Sequence, residues 1–256
     1  IGVPPILELA KEMNCEKKQI IVGYRNAQTF LKEEFEKNGE LYNKDNIDVF
    51  PNCVNTTVFH KMDVAKMKQD LKIDKEDFVI SFVGSFVPRK GPDRVAQAIK
   101  NLNDPHIKVI FIGKPFPGYE YDFDCPGIIH KGALDHELLP QYENCSDVFV
   151  LPTQKEGCCN AIVEALAMGL PVISSDGPFN DDILDDKNSI RIDPNDVEAI
   201  TEAIRTLRDA PERRKAMSEY SLSRHSEYTI QGRAKRILSF INKHIGNENN
   251  SNSSNL

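Results

Sequence analysis

The chain has 256 residues, 40% of them hydrophobic, enough to bury one large core or one core plus part of another. Its 39 acidic and 32 basic residues leave a net charge of -7, which argues against a general nucleic-acid binder, because that role needs a basic face for phosphates. No apolar run approaches the roughly 18 residues of a membrane span, so no transmembrane segment is expected and any membrane contact would be peripheral.

The first residues, IGVPPILELA, carry neither an initiating Met nor the charged start of a signal peptide, so the chain reads as a fragment of a longer protein. QIIVGY (19–24) predicts a strand, AQTFLKEEFEKNG (27–39) a helix closing at Gly39, and IDVFPNCVN (47–55) a strand entering a Pro-Asn turn. One strand and one helix cannot cover each other on both faces. Residues 1–45 are therefore expected to be the remnant of an N-terminal domain.

FVISFVG (78–84), IKVIFIG (107–113), DVFVLP (147–152) and PVISS (171–175) are short, β-branched and unalternating. That is the pattern of strands buried on both faces of a parallel sheet. Between them, DRVAQAIKNL (93–102), LDHELLPQYENC (134–145) and NAIVEALAMG (160–169) predict helices, as do DVEAITEAIRTLRD (196–209) and QGRAKRILSFINKHI (231–245) further on. Alternating strand and helix predicts an α/β fold with a doubly wound, Rossmann-like parallel sheet over 46–222, followed by a C-terminal helix, 223–246. The polar residues 247–256 are expected to be disordered.

Two strand–helix junctions carry the candidate chemistry. In GSFVPRKGPDRVAQAI (84–99), Gly91 permits a tight turn and Pro92 suits a first helical position. Arg89 and Lys90 stand where a helix start favours anions, and together they suit a diphosphate. In VLPTQKEGCCNAIVEALAMG (150–169), Asn160 is the N-cap candidate, Glu156 lies in the loop and Glu164 lies in the first turns of the helix. Two carboxylates and the intervening amides suit a ligand that is both polyhydroxylated and phosphorylated.

EGCCNAIVEALAMGLPVISSD resembles the E-x7-E region of the retaining GT-B glycosyltransferases called group 1, or family 4. DVFPNCVNTTVF (48–59), GSFVPRKGPDRVAQAI, KVIFIGKP (108–115) and HKGALDHELLPQYENCSDVFVLPT (130–153) resemble that family's other motifs, in the same order. The resemblance implies the C-terminal, donor-binding half of a GT-B fold. It implies that Glu156 holds the donor sugar, Glu164 the ribose, and Gly157, Cys158, Cys159 and Asn160 the sugar and phosphate. Arg89 and Lys90 would neutralise the departing diphosphate, Gly84 and Ser85 would let backbone approach the phosphates, and Lys131 to Leu134 would pass beside the base. The donor would be a UDP-, GDP- or ADP-sugar, with neither cofactor nor metal required. The acceptor, a sugar, glycan or lipid-linked group, would be held by the N-terminal domain, so that this fragment alone is inactive. Cys53 stands where the family usually has Gly, and Ser189-Ile190 where a Gly is common.

A non-catalytic nucleotide-sugar-binding module and a GT-B-like sugar-nucleotide epimerase remain the alternatives. Asp122-Phe123-Asp124 has the form of a metal-binding D-x-D but sits in a Pro/Gly/Tyr loop, where a solvated acidic turn is the simpler account. The six cysteines, Cys15, Cys53, Cys125, Cys145, Cys158 and Cys159, form no CxxC and read as reduced thiols of a cytoplasmic protein.

Overall fold

The computed structural model describes residues 20–37, 47–118 and 120–252, with side chains through residue 243. The expected helix stop at Gly39, the thiol of Cys15 and residues 253–256 of the tail lie outside these. The chain divides into two compact units, Cys53–Thr229 and Ile1–Asn52 with Ile230–Leu256.

In the smaller unit, β1 (Ile20–Val22) and β2 (Ile47–Val49) pair in parallel, with Ile20 opposite Ile47 and Val22 opposite Val49. Helix α1 (Arg25–Lys37) buries Leu31 and Phe35 against Ile47, and Gln28 donates to the Ile47 carbonyl at 2.6 Å.

The larger unit runs α2 (Ala65–Asp70), β3 (Phe78–Val83), α3 (Pro92–Leu102), β4 (Ile107–Ile112), β5 (Ile128–Gly132) and α4 (Leu139–Asn144). It continues through β6 (Val148–Leu151), α5 (Asn160–Ala167), β7 (Val172–Ser175), β8 (Ser189–Ile192), α6 (Val197–Asp209), α7 (Pro211–Ser223) and α8 (His225–Tyr228). Its six strands form one parallel sheet in the order β5-β4-β3-β6-β7-β8. The chain winds outward from β3 to one edge, returns to the centre at β6 and winds outward to the other. That is the expected doubly wound sheet. Its switch point lies between β3 and β6, where helices leave in opposite directions and open a crevice beyond the strand ends.

The central strands were readable because both faces are covered: β6 and β7 are buried at every residue, and β3 at all but Val83. Phe82, Phe111, Phe149, Ile162 and Leu166 are inaccessible to solvent. Each such side chain contributes roughly 1.5–3 kcal/mol relative to exposure. The edge strands β5 (IIHKG) and β8 (SIRI) carry polar residues and partial burial, so neither gives an apolar run.

Several elements differ from expectation. The helix expected over 134–145 is confined to Leu139–Asn144, with Pro140 in its first turn. A proline there has no N–H to donate to the preceding turn, so the helix starts late. Helix α5 ends at Ala167 instead of continuing through Gly169. Helix α7, unread in the sequence, buries only Met217 and Ser221 and so carries no helical stripe.

The final helix, α9 (Ile230–Asn252), extends into the segment expected to be disordered; elongating an established helix needs no new nucleus. Within the smaller unit, Arg233 donates to the carbonyls of Phe50 and Pro51, and Phe240 meets Phe50 edge-on at 5.6 Å. The units divide at 52/53 and 229/230, whereas the sequence suggested 45/46 and 222/223. The reason is local: β2 pairs with β1, whereas Tyr228 is buried in the larger core and Val54 bridges Thr229.

Candidate functional site

Both candidate junctions leave the sheet at the switch point. At the end of β3, Gly91 takes a left-handed conformation (φ 76°) and Pro92 opens α3, as expected. A side chain at Gly91 would be strained and would also strike the Arg94 guanidinium at 2.5 Å. Gly113, after β4, allows the Gly84 carbonyl to pass: a Cβ at 113 would lie 1.9 Å from that oxygen. Gly84 itself is not crowded by the protein, since a Cβ there would meet only the Lys90 and Leu151 side chains at 3.6–3.8 Å. Ser85 follows it, half-buried, and accepts at its carbonyl from Val87.

The fold brings Arg89, Lys90 and Glu156 together. Glu156 Oε1 lies 3.1 Å from Arg89 Nη1 and 2.6 Å from Lys90 Nζ, and it accepts from Thr153 Oγ1 at 2.6 Å. All three partners converge on one carboxylate oxygen; Oε2 has no partner among the described residues. Lys90 and Glu156 are each 13% exposed at the side chain and Arg89 is 47% exposed, so solvent weakens the Arg89 pair most.

Thr153 was not singled out in the sequence. It is fully buried, and Ser175 donates to its carbonyl. Asn180 in turn donates to the Ser175 carbonyl at 2.8 Å. A buried polar chain from β7 thus holds the backbone of the residue whose hydroxyl meets Glu156. Serine and threonine inside apolar strands were its only signal.

Asn160 is the first residue of α5, and the cap position belongs to Cys159, with no side-chain cap bond. This corrects the expected Asn160 cap. Gly157 and Cys158 are half-buried in the loop between Glu156 and the helix. Burial raises the Cys159 thiol, outweighing the opposing pull of Lys90 and the amides of Ala161 and Ile162. Burial likewise pushes the Cys125 and Cys145 thiols up to about 11.

Glu164 lies one helical turn into α5, half-buried; burial raises its carboxyl, against a lowering influence from His136. His136 also meets Phe59 edge-on at 5.6 Å. Glu143 on α4 is fully buried, and neither carboxyl oxygen has a hydrogen-bond partner among the described residues. Its carboxyl is pushed well above the ordinary value by burial, then by the charge of Glu164. Nothing in the sequence marks this residue, because one Glu on a short amphipathic helix reads as solvated.

Lys131 and Leu134 are not part of the Glu156 cluster. Lys131 ends edge strand β5, donates to Asp122 Oδ1 at 2.9 Å and to the Phe123 carbonyl, and lies 4.3 Å from the Phe123 ring centroid. Its hydrogen bond and charge lower the Asp122 carboxyl. Asp122 of the D-x-D is thus engaged by a lysine, and no group of three metal-ligating side chains occurs among the described residues. Leu134 packs half-buried beside Ile112 and Cys145. No helix among the described residues is long and apolar enough to cross a membrane.

The family model described as "Glycosyl transferases group 1" matches residues 63–224. A D-inositol 3-phosphate glycosyltransferase of Segniliparus rotundus is 24% identical over 205 residues, covering 75% of this chain and 46% of the relative. An Escherichia coli UDP-Gal:alpha-D-GlcNAc-diphosphoundecaprenol alpha-1,3-galactosyltransferase is 29% identical over 178 residues, covering 64% and 45%. The chain thus spans less than half the length of either relative. Among solved structures, Anabaena Alr3699/HepE in complex with UDP-glucose superimposes with a TM-score of 0.74 at 16% identity, over 94% of this chain and 68% of that one. The six-stranded parallel sheet matches the Rossmann-like domains of GT-B proteins.

Proposed function

The chain belongs to the glycosyl transferases group 1 family, and from that premise we propose that it carries the donor site of an enzyme moving a glycosyl group from a nucleotide-diphosphate sugar to a sugar, glycan or lipid-linked acceptor with retention of configuration. The observation that supports this most is the one-sided occupancy of Glu156. Arg89, Lys90 and Thr153 take Oε1, so Oε2 is left to accept from a sugar hydroxyl. Two cations facing one carboxylate also leave an excess of positive charge beside it, which suits a diphosphate.

In this reading the anomeric carbon exchanges its bond to the diphosphate oxygen for a bond to the acceptor oxygen, and the proton released by the acceptor hydroxyl passes to the departing diphosphate. Negative charge grows on the departing diphosphate, where Arg89 and Lys90 stabilise it without a metal ion. Gly84 and Ser85 give the phosphates room to approach the backbone, and the 157–160 loop contacts sugar and phosphate. Glu164 accepts from the ribose hydroxyls, and the backbone of 131–134 passes beside the base. The names of the relatives, which include a UDP-galactose-dependent transferase acting on a lipid-linked diphosphate, support both donor and acceptor classes. The acceptor is held by the enzyme's N-terminal domain, and transfer needs that domain together with the donor site.

Calorimetric titration with UDP, GDP and ADP tests the donor reading. One of them should bind, with an affinity that falls as salt rises, because phosphate pairing is screened. A folded chain that binds none of the three would overturn it.

A further inference from the structure

Arg94 takes no part in the site as described above, yet its side chain joins the two loops that form it. It stands in the first turn of α3, next to Val95, whose side chain is inaccessible in the core. From there, Nη1 donates to the Pro88 carbonyl and Nη2 to the Pro152 carbonyl, each at 2.8 Å. Pro88 immediately precedes Arg89 and Lys90, and Pro152 immediately precedes Thr153. One planar fork therefore fixes the spacing between the cation loop and the loop that holds Glu156.

The surroundings of Arg94 are shaped to admit it. Gly91 leaves the space that any side chain would take from the guanidinium. Nε is buried without a partner among the described residues, so the two terminal nitrogens carry the hydrogen bonding. The loops are further joined where the Gln154 amide donates to the Arg89 carbonyl at 2.9 Å and Arg89 Nη1 donates to the Lys155 carbonyl. The Arg89 side-chain pairing is exposed and screened, whereas Lys90 Nζ, 13% exposed, also joins the loops through Glu156 Oε1 at 2.6 Å. A lysine in place of Arg94 keeps the charge but has a single nitrogen and cannot span both carbonyls in a fixed plane.

We propose that Arg94 is a positioning residue that clamps the 84–91 and 152–157 loops across the switch point and so sets the diphosphate cradle. The proposal rests on the donor reading for its consequence and on the two hydrogen bonds for its geometry. Lys131, Leu134 and Glu164 are not held by this fork. Its loss should therefore weaken recognition of the diphosphate and leave that of the nucleoside largely intact.

The test uses Arg94→Lys and Arg94→Gln, the second covering the case in which the first fails to fold. Two readouts are needed. Amide hydrogen exchange at Gln154 should speed up about tenfold, with the amides of β3 and β4 unchanged, because an opening of the loops costs less once the fork is gone. Calorimetry should show UDP bound about tenfold more weakly, while uridine binding stays within about twofold. Unchanged exchange at Gln154 would overturn the clamp. An equal loss for UDP and uridine would overturn the diphosphate-specific role in favour of a general packing role. If the unmutated chain binds no nucleotide while Gln154 exchange still accelerates in the variants, the donor reading falls and the clamp between the loops stands.

Discussion

The rim of the crevice and the layer behind it treat carboxyl groups in opposite ways. At the rim, Glu156 is met by Arg89, Lys90 and Thr153 on one oxygen. Behind it, Glu143 has no hydrogen-bond partner among the described residues, and burial raises Glu164 against a lowering influence from His136. The rim keeps a charged carboxylate and surplus cations available to a polar ligand. The layer behind favours the neutral carboxyl, because desolvation penalises the charged form without a compensating cation. Adjacent elements of one domain thus set up two different electrostatic environments, and only the rim suits an anion.

The largest effect expected from breaking that contrast is at the rim. Lys90→Ala should weaken binding of the preferred nucleoside diphosphate about 100-fold and flatten its salt dependence, as removal of a charged hydrogen bond does. Titrations at two salt concentrations check both parts. Glu164→Ala, in the layer behind, should cost about tenfold, with the salt dependence retained, because its proposed partners are uncharged ribose hydroxyls.

Glu143 sharpens the contrast through pH. Its folded value lies well above the ordinary 4.5. Its contribution to stability is therefore fully present below pH 4.5 and is lost as pH rises through the raised folded value. Glu143→Gln removes that loss. The variant should melt about 3 °C above the unmutated chain at pH 8 and no higher than it near pH 4.5. A melting difference independent of pH would place the Glu143 proton elsewhere. The smallest effect belongs to the flank: Lys131→Ala should change nucleotide affinity less than about threefold, since its ammonium is engaged by Asp122 and the Phe123 ring.

How much of this the sequence disclosed depends on the kind of signal each residue leaves. Strands β3, β4, β6 and β7 announce themselves as apolar runs, and the winding of the sheet follows from their alternation with helices. Strands β5 and β8 do not, because edge strands mix polar and apolar residues. Arg89, Lys90 and Glu156 could be singled out as charged residues at two junctions. That all three meet at one carboxylate oxygen depends on the pairing of β3 with β6, 68 residues apart for Ile80 and Val148, and no local pattern encodes that. Thr153, Arg94 and Glu143 were missed for a common reason. Each acts through a backbone carbonyl, a neighbouring loop or a burial that exists only after the chain has folded. The cap position was misplaced by one residue, since Asn160 is a stronger capping type than the Cys159 that precedes it.

The central claim is that the rim between β3 and β6 holds the diphosphate and sugar of a nucleotide-sugar donor. A crystal structure of the chain with the sugar derivative of whichever nucleotide binds most tightly tests it most directly. Diphosphate oxygens should lie within hydrogen-bond distance of Arg89 and Lys90, with a sugar hydroxyl on Glu156 Oε2. A donor bound elsewhere, with the Glu156 cluster empty and unchanged, would contradict it.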